Sequence, residues 1–125
     1  MDKQKRILIV DDDDQVANMY MTYLGIKGFA TKRVNNGEDA LSVTLEYKPD
    51  LILLDAMLPR VTGFEVLDIL HNTDKTQRIP IIMLTALGQK EDRDKATMSG
   101  AVDYFVKTEV DLDTISKRIA ERLSE

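Results

Sequence analysis

The chain has 125 residues, 43% of them apolar, a size and composition that suit one globular domain and exclude a disordered tail. Its 17 Lys and Arg residues against 22 Asp and Glu residues give a net charge of −5, which argues against a nucleic-acid surface because duplex binding needs a cationic face. With no Cys and a single His71, disulfides, thiolate metal sites and a histidine-built zinc site are excluded.

Membrane association is not expected either. No apolar run approaches the ~20 residues that span a bilayer, and the N-terminal stretch lacks the apolar core of a signal peptide. The sequence therefore predicts a soluble, cytoplasmic protein that contacts neither membrane nor nucleic acid directly.

Short apolar runs alternate along the chain with stretches of helical periodicity, which predicts strands alternating with helices. In chain order, the predicted elements are strand Arg6–Val10, a helix from Asp14 to Gly25 or Gly28, edge strand Phe29–Val34, a helix over Ala40–Leu45, strand Leu51–Asp55, a helix over Phe64–Leu70 preceded by Gly63, strand Ile79–Thr85, a polar helix over about 89–99, strand Val102–Lys107 and helix Leu112–Leu123. Strands that are apolar along their whole length belong in a parallel sheet covered on both faces by helices. The sequence thus predicts one doubly wound α/β domain, residues 1–125, with five parallel strands and five helices.

Polar side chains follow these predicted strands at the point where each one ends. Asp11 and Asp12 follow the first strand, Asp55 ends the third, Thr85 ends the fourth and Lys107 ends the fifth. In open parallel α/β sheets, ligands bind outside the carboxyl ends of the strands. We therefore expect these five residues to converge on one site.

The residue types indicate the chemistry of that site. Carboxylates without His or Cys form a hard oxygen site, suited to Mg²⁺ or Mn²⁺. Lys107 and Thr85 can each bind a phosphate oxygen. A carboxylate beside a metal can act as nucleophile and form an aspartyl phosphate, so the set favours phosphoryl transfer on Asp55.

Other polar and sulfur-containing residues are given structural interpretations. Asp14 is interpreted as the N-cap of the first helix, because Asp favours that position, and Asp13 as a solvated acid. His71 is expected at the surface near a helix end, and Tyr104 inside the fifth strand. Four methionines are interpreted as core-filling residues: Met19, Met57, Met83 and Met98.

Five segments together resemble the receiver domain of two-component response regulators, over essentially the whole chain. They are "ILIVDDD", "GFATKRVNNGEDAL", "PDLILLDAMLPRVTG", "IPIIMLTA" and "GAVDYFVK". The third contains an Asp with a Pro four residues later and a Gly four residues after that. The resemblance implies a flavodoxin-like sheet with strand order 2-1-3-4-5.

The resemblance also implies roles for residues around the metal. Asp55 matches the phosphoacceptor, and Asp11 and Asp12 match the acidic pair. Asp12 is expected to contact the metal directly and Asp11 mainly through water. Met57 matches the position whose backbone carbonyl is a metal ligand. The expected cofactor is Mg²⁺, with Mn²⁺ as an alternative.

Further positions match the family's residues that bind the phosphoryl group or move in response to it. Thr85 matches the hydroxyl that binds it, Lys107 the lysine that pairs with it, and Ala86 the small residue that keeps it accessible. Tyr104 matches the aromatic residue that moves inward with Thr85. The family usually has Pro after this lysine, commonly in a cis bond, whereas Thr108 follows here, so the sequence leaves the Lys107–Thr108 bond open between cis and trans.

A receiver domain is a signalling domain and not an enzyme acting on other substrates. The resemblance implies that Asp55 receives its phosphoryl group from a phosphohistidine of a sensor kinase or phosphotransfer protein, or from a small phosphodonor. Phosphorylation is then expected to switch a surface that binds a downstream protein or a second copy of the chain.

Two alternative functions are disfavoured by the residues present. A pseudo-receiver, an interaction module without the chemistry, is disfavoured by the complete set of acids, Thr and Lys. An Mg²⁺-dependent phosphatase with an aspartate nucleophile, of the haloacid-dehalogenase type, needs a second Asp two residues after the first. Here that position is Met57, which cannot act as acid or base.

Overall fold

Five strands and five helices alternate along the chain, as the apolar pattern predicts. The structure, a computed structural model, describes residues 3–125; Met1 and Asp2, which belong to the predicted domain, lie outside the described residues. The elements are β1 (Arg6–Val10), α1 (Asp14–Ile26), β2 (Ala30–Val34), α2 (Ala40–Tyr47), β3 (Leu51–Leu54), α3 (Gly63–His71), β4 (Ile81–Thr85), α4 (Lys90–Met98), β5 (Asp103–Val106) and α5 (Leu112–Leu123). Within residues 3–125, every helix is too short or too polar to cross a bilayer.

The sheet is parallel throughout and its strand order is β2-β1-β3-β4-β5, which confirms the predicted doubly wound architecture. The central strands β3 and β4 are buried along their whole length, whereas β2 and β5 lie at the edges and are only partly covered. Val10 pairs with Val34 on one side and with Leu54 on the other. The residues that follow these strands, among them Asp11 and Asp55, are therefore brought to the same edge.

Alternate residues of each strand pack into two separate cores, because successive side chains point to opposite faces of a sheet. Leu8 and Val10 face the core beneath α2, α3 and α4, and Ile7 and Ile9 face the core beneath α1 and α5. Fully burying a side chain of this size stabilises the fold by roughly 1.5–3 kcal/mol. The two cores hold the sheet rigid, which fixes the positions of the residues at its carboxyl edge.

The predicted cap of α1 is wrong by one residue. Asp13, not Asp14, is the N-cap: its backbone is extended and its Oδ1 accepts a hydrogen bond from the Val16 N–H at 3.1 Å. Asp14 is already the first helical residue, and its carboxylate forms an ion pair with Arg33 instead. Both residues are aspartates, so cap preference could not decide between them; the length of the turn after β1 does.

The prediction that four methionines fill the core holds only for Met83, which is fully buried in β4. The other three side chains are exposed: Met19 by 47%, Met57 by 52% and Met98 by 88%. Met19 lies off the α1 stripe that buries Ala17, Tyr20 and Leu24, and the short polar helix α4 buries only Ala96. Hydrophobic character alone did not reveal which helix faces would be covered.

Candidate functional site

Three aspartates meet at the carboxyl edge of the sheet. Asp11 and Asp12 follow β1 and Asp55 follows β3, and one carboxylate oxygen from each lies within 4.8 Å of the others. Asp11 and Asp55 are 3% and 5% exposed, whereas Asp12 is open to solvent. The cluster arises from the sheet itself, because the Asp55 N–H donates to the Val10 carbonyl at 3.0 Å and the Asp11 N–H donates to the Val34 carbonyl at 3.1 Å.

Lys107 joins two of these acids. Its ammonium donates to Asp11 Oδ2 at 2.8 Å and to Asp55 Oδ2 at 3.0 Å, and its side chain is 18% exposed. Burial alone would lower the pKa of Lys107, but the hydrogen bonds to Asp11 and Asp55 and their charges outweigh it and raise that pKa. Lys107 is therefore a cation wherever these carboxylates are ionised.

The loop after β5 does not prevent this contact. Residues 3–125 contain no cis peptide bond, so the Lys107–Thr108 bond is trans. The Lys107 N–H continues the ladder by donating to the Thr85 carbonyl at 2.9 Å, which anchors its backbone at the end of β4. Replacing the family's Pro by Thr108 thus leaves the ammonium aimed at the acids.

The Asp55 carboxylate is oriented by its own loop. Its Oδ1 accepts a hydrogen bond from the Met57 N–H at 2.9 Å, while Oδ2 faces Lys107. Gly63, at the start of α3, closes the loop by donating to the Ala56 carbonyl at 3.0 Å. A Cβ at Gly63 would lie 2.0 Å from the Asp55 carbonyl oxygen, so only glycine permits this approach.

Thr85 and Tyr104 lie on the neighbouring strands. Thr85 is fully buried at the end of β4, and its hydroxyl accepts a long hydrogen bond of 3.4 Å from the Leu87 N–H. The Tyr104 hydroxyl donates to the Leu87 carbonyl at 2.6 Å, and the Arg93 guanidinium lies 5.2 Å from the centre of the Tyr104 ring. Burial raises the pKa of Tyr104. Leu87 thus connects the predicted switch residues through its own backbone.

The structure brings most of the predicted site residues together. Asp11, Asp12, Asp55 and Lys107 form one cluster, whereas the Thr85 hydroxyl makes no hydrogen bond to these acids among the described residues. The Met57 side chain is exposed, contrary to its predicted place in the core, and the resemblance matches this position to the site only through its backbone carbonyl.

Two residues of the site were missed by the sequence. Arg33 in β2 donates from Nε to the Asp11 carbonyl at 3.0 Å and from Nη1 to Asp14 Oδ1 at 2.6 Å. Tyr20 of α1 is buried beneath the cluster. Burial raises the pKa of Tyr20, the charge of Lys107 opposes this rise, and the charges of Asp11 and Asp55 add to it. For Arg33, the only signal in the sequence was its position one residue before the end of a predicted edge strand.

The donor set suits a small, hard cation. All three acidic groups offer oxygen, with no imidazole or thiolate in the cluster, which is the preference of Mg²⁺ and Mn²⁺. Lys107 supplies one positive charge to three carboxylates, so ionised side chains leave an excess of negative charge at the edge of the sheet. A divalent cation could offset this negative charge and that of the oxygens of an incoming phosphoryl group.

Comparison with known proteins gives the family. A family model described as the response regulator receiver domain matches residues 7–120. The polar-differentiation response regulator DivK of Brucella anthropi is 35% identical over 82% of this chain and 84% of its own length. The DNA-binding regulator RpaA of Synechocystis is 40% identical over 82% of this chain but only 42% of its own length.

Solved structures of similar fold point to the same family. The BeF3-activated N-terminal receiver domain of Klebsiella pneumoniae RstA superimposes with a TM-score of 0.90 at 29% identity, covering 97% of this chain and 100% of that one. The chemotaxis protein CheY4 of Vibrio cholerae gives a TM-score of 0.88 at 25% identity over 95% and 98% of the two chains. The fold, the arrangement of the site and these similarities lead to one conclusion: the chain belongs to the response regulator receiver domain family.

Proposed function

We propose that this chain is a phosphorylation-operated signalling domain in which Asp55 accepts a phosphoryl group from a phosphohistidine of a sensor kinase or phosphotransfer protein. The reaction depends on Mg²⁺, and the modified domain presents an altered protein-interaction surface. One observation carries the proposal: the Lys107 ammonium bridges the buried carboxylates of Asp11 and Asp55. That contact brings together the proposed phosphoacceptor Asp55, the candidate metal ligand Asp11 and the candidate phosphate-binding cation Lys107.

The residues present fit the metal that receiver domains bind at their acidic cluster. Asp12, the exposed acid, and Asp55 would hold Mg²⁺ directly, Asp11 would act mainly through water, and the Met57 backbone carbonyl would complete the protein ligands. When bound, Mg²⁺ supplies the positive charge that offsets the phosphoryl oxygens. The excess of negative charge left by the single Lys107 supports this role.

The chain's own groups account for the transfer. A carboxylate oxygen of Asp55 forms a bond to phosphorus while the phosphorus–nitrogen bond of the phosphohistidine breaks, and the electron pair leaves with the imidazole nitrogen. Lys107, already within 3.0 Å of Asp55 Oδ2, donates to one phosphoryl oxygen, and the Thr85 hydroxyl donates to another. Ala86 next to Thr85 leaves the approach to Asp55 open.

The same contacts couple the site to a surface. When the Thr85 hydroxyl turns to a phosphoryl oxygen, its contact with the Leu87 N–H is lost, and the Leu87 carbonyl that holds Tyr104 is free to shift. We therefore propose that phosphorylation biases the surface formed by α4, β5 and α5 between two arrangements. A downstream protein, or a second copy of this chain, would bind the favoured one.

The proposal also covers the scope of the chemistry and the cellular location. The family is a signalling family, so we propose that the chemistry is limited to the domain's own phosphorylation and dephosphorylation and does not extend to a phosphatase acting on other substrates. We also propose a cytoplasmic location, where sensor kinases present their phosphohistidines. A pseudo-receiver is disfavoured because Lys107 pairs with Asp11 and Asp55 as the chemistry requires.

The direct test is incubation with acetyl phosphate and Mg²⁺ followed by intact mass measurement. The wild type should gain the mass of one phosphoryl group and Asp55→Asn should gain none, because an amide is a poor nucleophile. Asp50→Asn is the matched control: Asp50 binds the Arg6 N–H at the opposite edge of the sheet, so this variant should label fully. Full labelling of Asp55→Asn would contradict the proposal.

The surface switch has its own test. Beryllofluoride with Mg²⁺, which stands in for the phosphoryl group, should shift the NMR signals of α4 and Tyr104 in the wild type. Those shifts should disappear in Thr85→Ala and persist in the control Thr31→Ala, which changes a threonine of the far edge strand β2. Shifts confined to the carboxylate cluster, or their persistence in Thr85→Ala, would reject the coupling.

A further inference from the structure

We propose that Arg33 is a positioning residue for the metal-binding loop, holding both ends of the run Asp11–Asp14 in the arrangement that a divalent cation requires. This inference rests on the proposed function, because the role matters only if the aspartate cluster binds Mg²⁺. It concerns a residue that the family resemblance does not single out and that lies on an edge strand.

The contacts of Arg33 span the whole acidic run. Its Nε donates to the backbone carbonyl of Asp11 at 3.0 Å, and its Nη1 forms an ion pair with Asp14 Oδ1 at 2.6 Å. Asp11 is therefore held on both sides of its backbone by β2, since its N–H donates to the Val34 carbonyl. Between the two contacts, Asp12 projects toward solvent and Asp13 caps α1.

The sheet register explains why Arg33 reaches this loop. Arg33 pairs with Ile9, which packs in the core beneath α1, whereas the next pair, Val34 and Val10, faces the opposite core. Because facing residues of paired strands project to the same side, Arg33 emerges beneath the start of α1. There its side chain is 18% exposed, much less than that of Asp14, at 81%.

Electrostatics alone predicts the opposite effect on the metal. A cation beside the carboxylates repels Mg²⁺, so Arg33 considered only as a charge weakens metal binding. The ion pair with the exposed Asp14 also contributes little stability. What the planar guanidinium adds is two hydrogen bonds that leave from different nitrogens and fix the first and last residues of the run, which a lysine ammonium reproduces poorly.

The experiment is a Mg²⁺ titration, followed by NMR, of the wild type, Arg33→Lys and Arg33→Ala. If Arg33 positions the loop, both variants should bind Mg²⁺ ~10-fold more weakly. The matched control is Arg6→Lys, which changes an arginine that also donates to a backbone carbonyl, that of Tyr47, at the opposite edge of the sheet; it should bind as the wild type does. Wild-type affinity in Arg33→Lys, or tighter binding in Arg33→Ala, would show that only charge acts and would overturn the inference.

A metal-free measurement separates this inference from the proposed function. The Asp13 amide donates to Asp11 Oδ1 at 2.9 Å, so its hydrogen exchange reports the order of the loop. Exchange should be faster in both Arg33 variants than in the wild type and in Arg6→Lys, and unchanged exchange would contradict positioning. A wild type that binds no Mg²⁺ would instead overturn the proposed function, whatever the exchange rates show.

Discussion

The two ends of β5 carry two ionic clusters in which buried carboxylates and cations are paired in opposite ratios. Lys107, just after the strand, faces the buried carboxylates of Asp11 and Asp55, with Asp12 close by. At the start of the strand, Asp103 is surrounded by two arginines of α5, Arg118 and Arg122. At the first end, two buried carboxylates share one cation; at the second, one buried carboxylate is paired with two cations, which also contact the exposed Glu121 and Glu125.

The pairing at Asp103 is complete. Its carboxylate accepts hydrogen bonds from Arg118 Nη1 at 2.6 Å and from Arg122 Nε at 2.7 Å, and Arg122 also donates to the Val102 carbonyl at 3.0 Å. The hydrogen bond to Asp103 raises the pKa of Arg122. This cluster ties α5 to the sheet, whereas the single Lys107 only partly offsets the negative charge of the other cluster. The difference indicates a structural role for the Asp103 cluster and supports the function proposed for the Lys107 cluster.

The largest effect should come from removing the acid of the structural cluster. Asp103→Ala removes the buried partner of two arginines and leaves them only the exposed Glu121 and Glu125. We expect the free energy of unfolding to fall by about 2 kcal/mol, because the arginines can partly turn to solvent. Urea denaturation measures this. Asp113→Ala, which removes an exposed acid paired within α5, is the control and should be close to wild type. Equal losses in both variants would remove the contrast between the clusters.

A second prediction concerns the lifetime of the phosphoryl group that we propose Asp55 accepts. Met57 and Leu87, two residues after Asp55 and Thr85, are apolar and cannot hydrogen-bond a water for attack on an aspartyl phosphate. We expect slow self-dephosphorylation, and Met57→Asn combined with Leu87→Glu should shorten the lifetime by about tenfold, equivalent to ~1.4 kcal/mol in the barrier.

Decay of the phosphoprotein after donor removal measures this lifetime. Met98→Asn, which changes an exposed methionine at the end of α4, should leave it unchanged. A lifetime in the double variant equal to or longer than that of the wild type would show that these two side chains do not control the water.

A third, smaller effect should follow loss of the Tyr104 hydroxyl. Tyr104→Phe removes a partly buried hydrogen bond of 2.6 Å to the Leu87 carbonyl, so the free energy of unfolding should fall by ~1 kcal/mol. The control is Tyr23→Phe, because the Tyr23 hydroxyl makes only an exposed contact of 3.4 Å to Asp113. Denaturation curves that shift equally for both variants would mean that the Leu87 contact does not hold the ring.

The smallest effect should have the opposite sign. Asp12→Asn removes one charge from the acid-rich cluster, so the metal-free protein should gain ~0.5 kcal/mol of stability while Mg²⁺ binding weakens. Asp14→Asn makes the same change at an acid already paired with Arg33 and should not stabilise. Destabilisation by Asp12→Asn, or unchanged metal titration, would contradict an excess of negative charge at this site.

The sequence predicted those features that depend on periodicity and topology. The bounds of β1 were predicted as they stand, because a run of buried apolar residues ends abruptly at four acids. The convergence of Asp11, Asp55 and Lys107 followed from the rule that parallel strands present their carboxyl ends at one edge. The strand order came from the family resemblance, not from the apolar pattern.

Features that depend on tertiary geometry could not be predicted in this way. Asp13 and Asp14 are chemically identical candidates for the cap of α1, so only the turn geometry separates them. The hydrophobic side chain of Met98 predicts a core position, although the helix that carries it buries a single residue. The role of Arg33 depends on the register between β1 and β2, which no local pattern encodes.

Whether Lys107 and the aspartates at the end of β5 form a phosphoacceptor site is decided by locating the phosphoryl group. The protein is incubated with acetyl phosphate in Mg²⁺ or in EDTA, reduced with borohydride, which converts an aspartyl phosphate to homoserine, and sequenced by peptide mass spectrometry. Homoserine is expected at position 55 alone, in Mg²⁺ and not in EDTA. Homoserine at Asp11, Asp12 or an acid outside the cluster, or equal conversion of Asp55 in EDTA, would contradict it.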